Sequence, residues 1–206
     1  MSDPDDRIMP YKLTVSRFVN SVFSSNTYVI SGGTCAVVID PGDFAPQHAY
    51  LSQRRLEVRT ILLTHTHYDH IYGLSAMMDA WPEAVVLTSE FGKAALARDD
   101  WNFSRYHCDP VRIESDRIQA LRDGDEFSPI TGCHMTAFAT PGHDKSCMVF
   151  CTDRWLFTGD SYIPGVKVVA SFPNSDRKTA QEWYDKLREI SHEYQTFPGH
   201  GDICGN

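Results

Sequence analysis

At 206 residues and 42% apolar composition the chain is long enough for one domain with a sizeable core and too short for two full ones, so a single domain over 1–206 is expected. A formal net charge of -8, with Lys and Arg scattered rather than clustered, excludes a nucleic-acid partner held by its phosphates. No run approaches the roughly eighteen apolar residues of a membrane span, and the acidic start from Met1 to Arg7 lacks the basic-then-apolar order of a secretory signal; the expectation is a cytoplasmic protein whose residues 1–10 form a flexible acidic tail.

Residues 11–19, 27–31 and 35–40 read as strands, with Gly32-Gly33 as a hairpin turn and Asp40-Pro41-Gly42-Asp43 closing the third. A helix is predicted over 46–56, a buried strand over 60–63, and a helix over 71–80 that ends before Pro82. Residues 84–88 form another strand, and Ser89 is placed to cap a helix reaching Arg98. From 99 to 115 the pattern turns irregular and aromatic, with Trp101, Phe103, Tyr106, Cys108 and Pro110, which suits a loop over a pocket. The second half brings strands at 118–121, 132–140, 146–151 and 154–158. A final helix over 178–193 carries Trp183, Leu187 and Ile190 on one face, and a short strand follows at 195–197.

The chemistry concentrates at His65-Thr66-His67-Tyr68-Asp69-His70, where three imidazoles and a carboxylate share one turn directly after the apolar run Thr60-Ile61-Leu62-Leu63. Imidazole and carboxylate are ligands that zinc accepts readily, and that iron or manganese accepts with different tuning. Three later turns repeat the arrangement: Thr140-Pro141-Gly142-His143, Phe157-Thr158-Gly159-Asp160 and Phe197-Pro198-Gly199-His200-Gly201 each deliver a candidate ligand just after an apolar strand. His48, His107, His134 and His192 lie outside these motifs and read as ordinary surface or hydrogen-bonded residues. The six cysteines show no CxxC pair and read as free thiols, with Cys147, four residues past His143, read as a strand residue facing the core.

With these motifs in hand, from the Asp40-Pro41-Gly42 turn through THTHYDH, TPGH and FTGD to PGHG, the chain resembles the metallo-beta-lactamase superfamily, and within it the glyoxalase II-like hydrolases. The resemblance implies an α/β fold, a four-layered αββα sandwich of two mixed β-sheets flanked by helices. It implies that His65, His67 and His143 hold one metal, that Asp69, His70 and His200 hold a second, and that Asp160 bridges them. Two Zn2+ per chain are the implied cofactors, with Fe or Mn as alternatives, and a metal-bridging hydroxide is the implied nucleophile, oriented by Asp69 as the catalytic residue.

The implied activity is hydrolysis of a small-molecule thioester. The alternatives are a persulfide dioxygenase-like oxidoreductase with one iron on His65, His143 and Asp160, or a lactonase or beta-lactamase using the same site on another carbonyl. Full-length glyoxalase II enzymes close their groove with an additional helical domain after the PGHG turn, whereas this sequence stops soon after His200. Asp144-Lys145-Ser146 replaces the small residues usual after TPGH, and the segment after Asp160 lacks the family's frequent arginine. Lys145, Tyr162 and Lys167 are therefore candidates to bind an anionic substrate tail or stabilise an oxyanion.

Overall fold

The computed structural model describes residues 12–205, so the expected acidic tail over 1–10 lies outside the described residues. The first sheet opens with two hairpins: β1 (Thr14–Val19), β2 (Asn26–Gly32) and β3 (Cys35–Ile39) pair antiparallel. β4 (Glu57–Leu62), β5 (Val85–Ser89) and β6 (Ile118–Leu121) then add in parallel, in the order β1-β2-β3-β4-β5-β6. Parallel neighbours need crossovers, and each of the three carries a helix: α1 (Phe44–Gln53) runs from β3 to β4, α2 (Tyr68–Ile71) with α3 (Leu74–Ala80) from β4 to β5, and a fourth helix lies between β5 and β6. α4 (Glu90–Leu96) follows β5, capped as expected by the Ser89 hydroxyl, which accepts from the Gly92 amide.

The second sheet is built from β7 (Glu126–Ile130), β8 (Cys133–Ala139), β9 (Met148–Cys151), β10 (Trp155–Gly159) and β11 (Gln195–Pro198), in the order β11-β10-β9-β8-β7. Only β10 and β11 pair in parallel, because α5 (Arg177–Ile190) connects them. Both sheets are thus mixed. The strand β7 was not expected: Pro129 and the interrupting polar residues Glu126 and Ser128 hide it, and its place at the sheet edge tolerates the proline.

Side-chain alternation decides the layers. Along β2 and β3, Tyr28, Ile30, Val37 and Ile39 point between the sheets, where they meet Met135, Met148, Phe150, Phe157 and Phe197. Val29, Ala36 and Val38 point the other way, onto Leu51 of α1 and Leu74 and Met77 of α3. On the far side Val149 and Leu156 pack under Leu187 of α5. Helix, sheet, sheet and helix follow one another, the four-layered order expected of the sequence. Among the described residues no helix is long and apolar enough to cross a membrane.

Candidate metal centre

Every candidate ligand lies at one edge of the two sheets. Beyond the end of β4, Leu63 and Thr64 carry the chain to His65; His67 caps the single turn of α2, which holds Asp69 and His70. His143 follows β8 across Thr140-Pro141-Gly142, Asp160 follows β10 directly, and His200 follows β11 across Gly199. Glycine is needed at 199, since a β-carbon there would collide with the Asp160 carboxylate.

The ligand atoms fall into two clusters. The nearest nitrogens of His65, His67 and His143 lie within 4.8 Å of one another, as do the ligand atoms of Asp69, His70 and His200. Asp160 stands between the clusters: its Oδ2 is 3.6 Å from His143 Nε2 and 3.5 Å from His200 Nε2, and its Oδ1 is 3.7 Å from His70 Nε2. Asp40 also approaches His65 and His70, but its oxygens are occupied by the Thr64 amide at 2.7 Å, the Thr64 hydroxyl at 2.5 Å and His70, which makes it a support rather than a ligand.

The partners behind each ring assign its tautomer. His70 Nδ1 faces Asp40 Oδ2 at 3.1 Å, His143 Nδ1 faces the Val169 carbonyl at 2.7 Å, and His200 Nδ1 faces the Phe23 carbonyl at 3.1 Å. His65 Nδ1 is 3.2 Å from the Thr64 hydroxyl oxygen, whose own hydrogen goes to Asp40. His67 is turned the other way round, with Nε2 3.4 Å from Asp144 Oδ2, an ion-pair approach in which neither atom makes a well-aligned hydrogen bond. Each outer nitrogen therefore carries the hydrogen, and each inner nitrogen presents a lone pair to the centre.

Lone pairs consequently face one another, His67 Nδ1 against His143 Nε2 at 3.0 Å and His70 Nε2 against His200 Nε2 at 3.3 Å. His65 Nε2 and Asp160 Oδ1 are buried with no hydrogen-bond partner. Convergent acceptors of this kind are unfavourable unless cations or protons lie among them. Nitrogen and carboxylate donors in two clusters fit a di-metal site.

Electrostatics separate the two clusters. Burial, then the imidazoles of His70, His67 and His143, push His65 well below the ordinary histidine range, and burial likewise lowers His143. At His70 burial also acts downward, but Asp69, Asp40 and Asp160 outweigh it and raise the ring well above that range. The same contest at His200, with Asp160 and Asp69 prevailing over burial, ends at about 9. Asp69 and Asp160 resist burial through His70 and His200 and stay below the usual carboxylate range. The carboxylates around the second cluster thus favour cationic charge on His70 and His200, the same charge that a bound cation would supply there.

A cleft of about 430 Å³ opens onto these groups, lined by His67, Asp69, His143, Asp160 and His200 at its floor and by aromatic residues above. A larger groove of about 980 Å³ between α5 and β7 to β9 holds none of the candidate ligands, so size does not pick out the chemistry. None of the three residues proposed for substrate contact lines the cleft. Lys145 is exposed, with its ammonium 5.8 Å from the centre of the Phe91 ring. Tyr162 is buried under α5 against Tyr184, because the turn after Asp160 leads back beneath that helix. Lys167 is exposed in the segment that follows. Cys147 is buried, and burial raises its thiol well above the ordinary value.

Several residues of the site escaped the sequence reading. In sequence Asp40 is a turn residue and Asp144 a charge near the ligands; in the fold both are buried carboxylates behind imidazoles. His107, set aside as ordinary, stacks on Tyr68 with ring centres 3.8 Å apart and lines the cleft. Phe172 and Val169 come from the irregular 161–176 segment, and Phe23 from the turn before β2, where no local pattern marks a site.

Comparison with known proteins places this geometry in context. A probable metallo-hydrolase of Streptococcus pyogenes is 27% identical over 195 residues, covering 92% of this chain and 84% of that protein. The hydroxyacylglutathione hydrolase of Edwardsiella ictaluri is 29% identical over 154 residues; the match takes in 75% of this chain but only 51% of that enzyme, so the chain spans about half the length of such relatives. In three dimensions the fold superposes on the BLEG-1 B3 metallo-beta-lactamase with a TM-score of 0.83 at 22% identity, covering 93% of each chain. The family model for the metallo-beta-lactamase superfamily matches residues 20–200, from the turn before β2 to the last candidate ligand, and the chain belongs to that superfamily.

Proposed function

We propose that the chain is a metallohydrolase that cleaves thioesters at a dinuclear zinc centre. His65, His67 and His143 would hold one ion, Asp69, His70 and His200 the other, and Asp160 would reach both. When bound, the ions would supply Lewis acidity toward the substrate carbonyl and bring the pKa of a water to about 7, making hydroxide available at neutral pH. The observation that carries this reading is the set of inward lone pairs on five imidazoles, each fixed from behind, at the floor of an open cleft.

Asp69 lines that cleft with an ionised carboxylate and is placed to accept a hydrogen bond from the attacking water and aim it at the acyl carbon. The leaving thiolate, with an ordinary pKa of about 8.5, needs no proton from the protein. The broad class is supported by the streptococcal relative described as a probable metallo-hydrolase, and thioester chemistry by the hydroxyacylglutathione hydrolase of Edwardsiella ictaluri.

The test is elemental analysis combined with a substrate panel of S-lactoylglutathione, acyl carrier thioesters, a homoserine lactone, a beta-lactam and glutathione persulfide. Two zinc ions per chain and oxygen-independent thiol release are expected. One iron per chain with oxygen uptake on the persulfide would replace this reading by the dioxygenase one.

A further inference from the structure

The walls of the cleft are aromatic on both sides and carry no cation. Over the first cluster, the Phe172 ring lies 4.8 Å from His67 and 5.8 Å from His143, and the Phe103 ring 5.1 Å from His67 and 5.4 Å from Phe172. Over the second, His107 stacks on Tyr68, and Phe23 meets His107 edge-on at 6.1 Å. No Lys or Arg is among the lining residues.

The protein carries a cost to present these rings. Phe23 is 70% exposed and Phe172 39%, although soluble proteins generally keep large apolar patches covered. Phe23 and Phe103 also hold left-handed backbone, with φ of 51° and 60°, a conformation unfavourable for residues with a branched-off ring. Strain and exposure that meet at the mouth of a cleft have a use when an apolar ligand group covers the rings. The Phe23 carbonyl meanwhile holds His200, so the turn that orients a candidate ligand also carries one wall.

Resting on the thioester reading above, we infer that the cleft selects an uncharged aromatic acyl group carried on a neutral thiol. The ring of the acyl group lies between the Phe103–Phe172 wall and the Phe23–His107 wall, with its carbonyl at the floor. An anionic thiol such as glutathione finds no Lys or Arg in the walls of the cleft to meet its carboxylates and adds to the charge of an already acidic protein. A small polar acyl group leaves the rings uncovered.

The test uses N-acetylcysteamine thioesters of phenylacetate and acetate, normalised to their alkaline hydrolysis rates, with S-lactoylglutathione alongside, on the zinc-loaded protein. The phenylacetyl ester should exceed the acetyl ester at least about tenfold in kcat/KM and should exceed S-lactoylglutathione as well. In Phe172→Ala the phenylacetyl-to-acetyl ratio should fall about tenfold, and in Phe172→Leu by less. Independently of turnover, calorimetry should show S-(2-phenylethyl)-N-acetylcysteamine, in which a methylene replaces the carbonyl, binding at least about tenfold tighter than its S-ethyl counterpart. A ratio near one, a preference for S-lactoylglutathione or equal binding of the two thioethers would overturn the inference. Discriminating binding without hydrolysis of any thioester would sustain the aromatic site and overturn the hydrolase reading instead.

Discussion

Replacing Asp144 with asparagine keeps the shape of the side chain and replaces the carboxylate that faces His67 by a neutral donor. Asp144 is fully buried; its Oδ1 accepts from the Ser146 amide at 2.8 Å and the Ser146 hydroxyl at 2.5 Å, while its Oδ2 faces His67 Nε2. Burial alone would raise this carboxyl, but His67 and Ser146 outweigh it and keep it ionised. In Asp144→Asn the amide oxygen must stay with the two Ser146 donors, which turns the amide NH2 toward His67. His67 then accepts at Nε2 and carries its hydrogen at Nδ1, where the ligand lone pair was. Loss of an outer partner typically weakens metal affinity 10- to 100-fold, about 1.4 to 2.7 kcal/mol. A zinc titration against a chelator should therefore show one site weakened by that factor and the other within about threefold of wild type. The 15N shifts of the His67 ring should report the exchanged tautomer, and circular dichroism of the metal-free protein should match wild type. Two unaltered affinities would refute the assignment of Asp144 as the residue that orients His67.

Further outcomes follow from the same geometry. His65→Ala removes a buried lone pair of the first cluster and should abolish turnover and cost bound metal by elemental analysis while leaving a folded protein; full activity would refute the ligand assignment. Gly199→Ala drives a β-carbon into the Asp160 carboxylate and should lower the melting temperature, by about 1–3 kcal/mol of stability, together with the metal content, and an unchanged Tm and stoichiometry would contradict the contact. Asp40→Asn disturbs the support of both His70 and, through Thr64, His65, so the same chelator titration should show both sites weakened; an effect confined to one site would break the proposed link.

The metal turn was legible because its ligands crowd into six consecutive residues, and the other three because glycine-bearing turns after apolar strands announce themselves. Apolar runs bounded by turn residues, such as β2 and β3, were equally readable, while Glu126–Ile130 concealed an edge strand behind Pro129. What the sequence withheld were pairings between distant positions. Asp144 acts on His67 and Asp40 on His70, and no local spacing encodes either contact. Tyr162 shows the converse error: a polar-tipped aromatic beside a candidate ligand suggested substrate contact, but its ring fills the space under α5. The first turn of α2 was readable as a ligand-bearing turn but not as a helix, since four residues are too few for a periodic pattern.

The supports behind the rings are distributed so that the two clusters resemble each other chemically while differing in construction. Each contains one imidazole backed by a carboxylate, His67 by Asp144 and His70 by Asp40, and one backed by a main-chain carbonyl, His143 by Val169 and His200 by Phe23. A carboxylate behind a ring strengthens it as a donor, so each ion would find one imidazole held by a carboxylate and one held by a carbonyl, with His65 as a third in the first cluster and Asp69 in the second. Asp40 departs from this symmetry. It holds His70 directly and His65 through the Thr64 hydroxyl, and so joins a ligand of each cluster to one buried carboxylate at the end of β3. The residue occupies left-handed backbone at φ 54°, unusual for a side chain that is not glycine, and the Thr27 hydroxyl donates to its carbonyl at 2.6 Å to hold it there. Strain at Asp40 thus lies where displacement would misalign ligands of both ions together, which ties the integrity of the whole centre to a turn that contributes no ligand of its own.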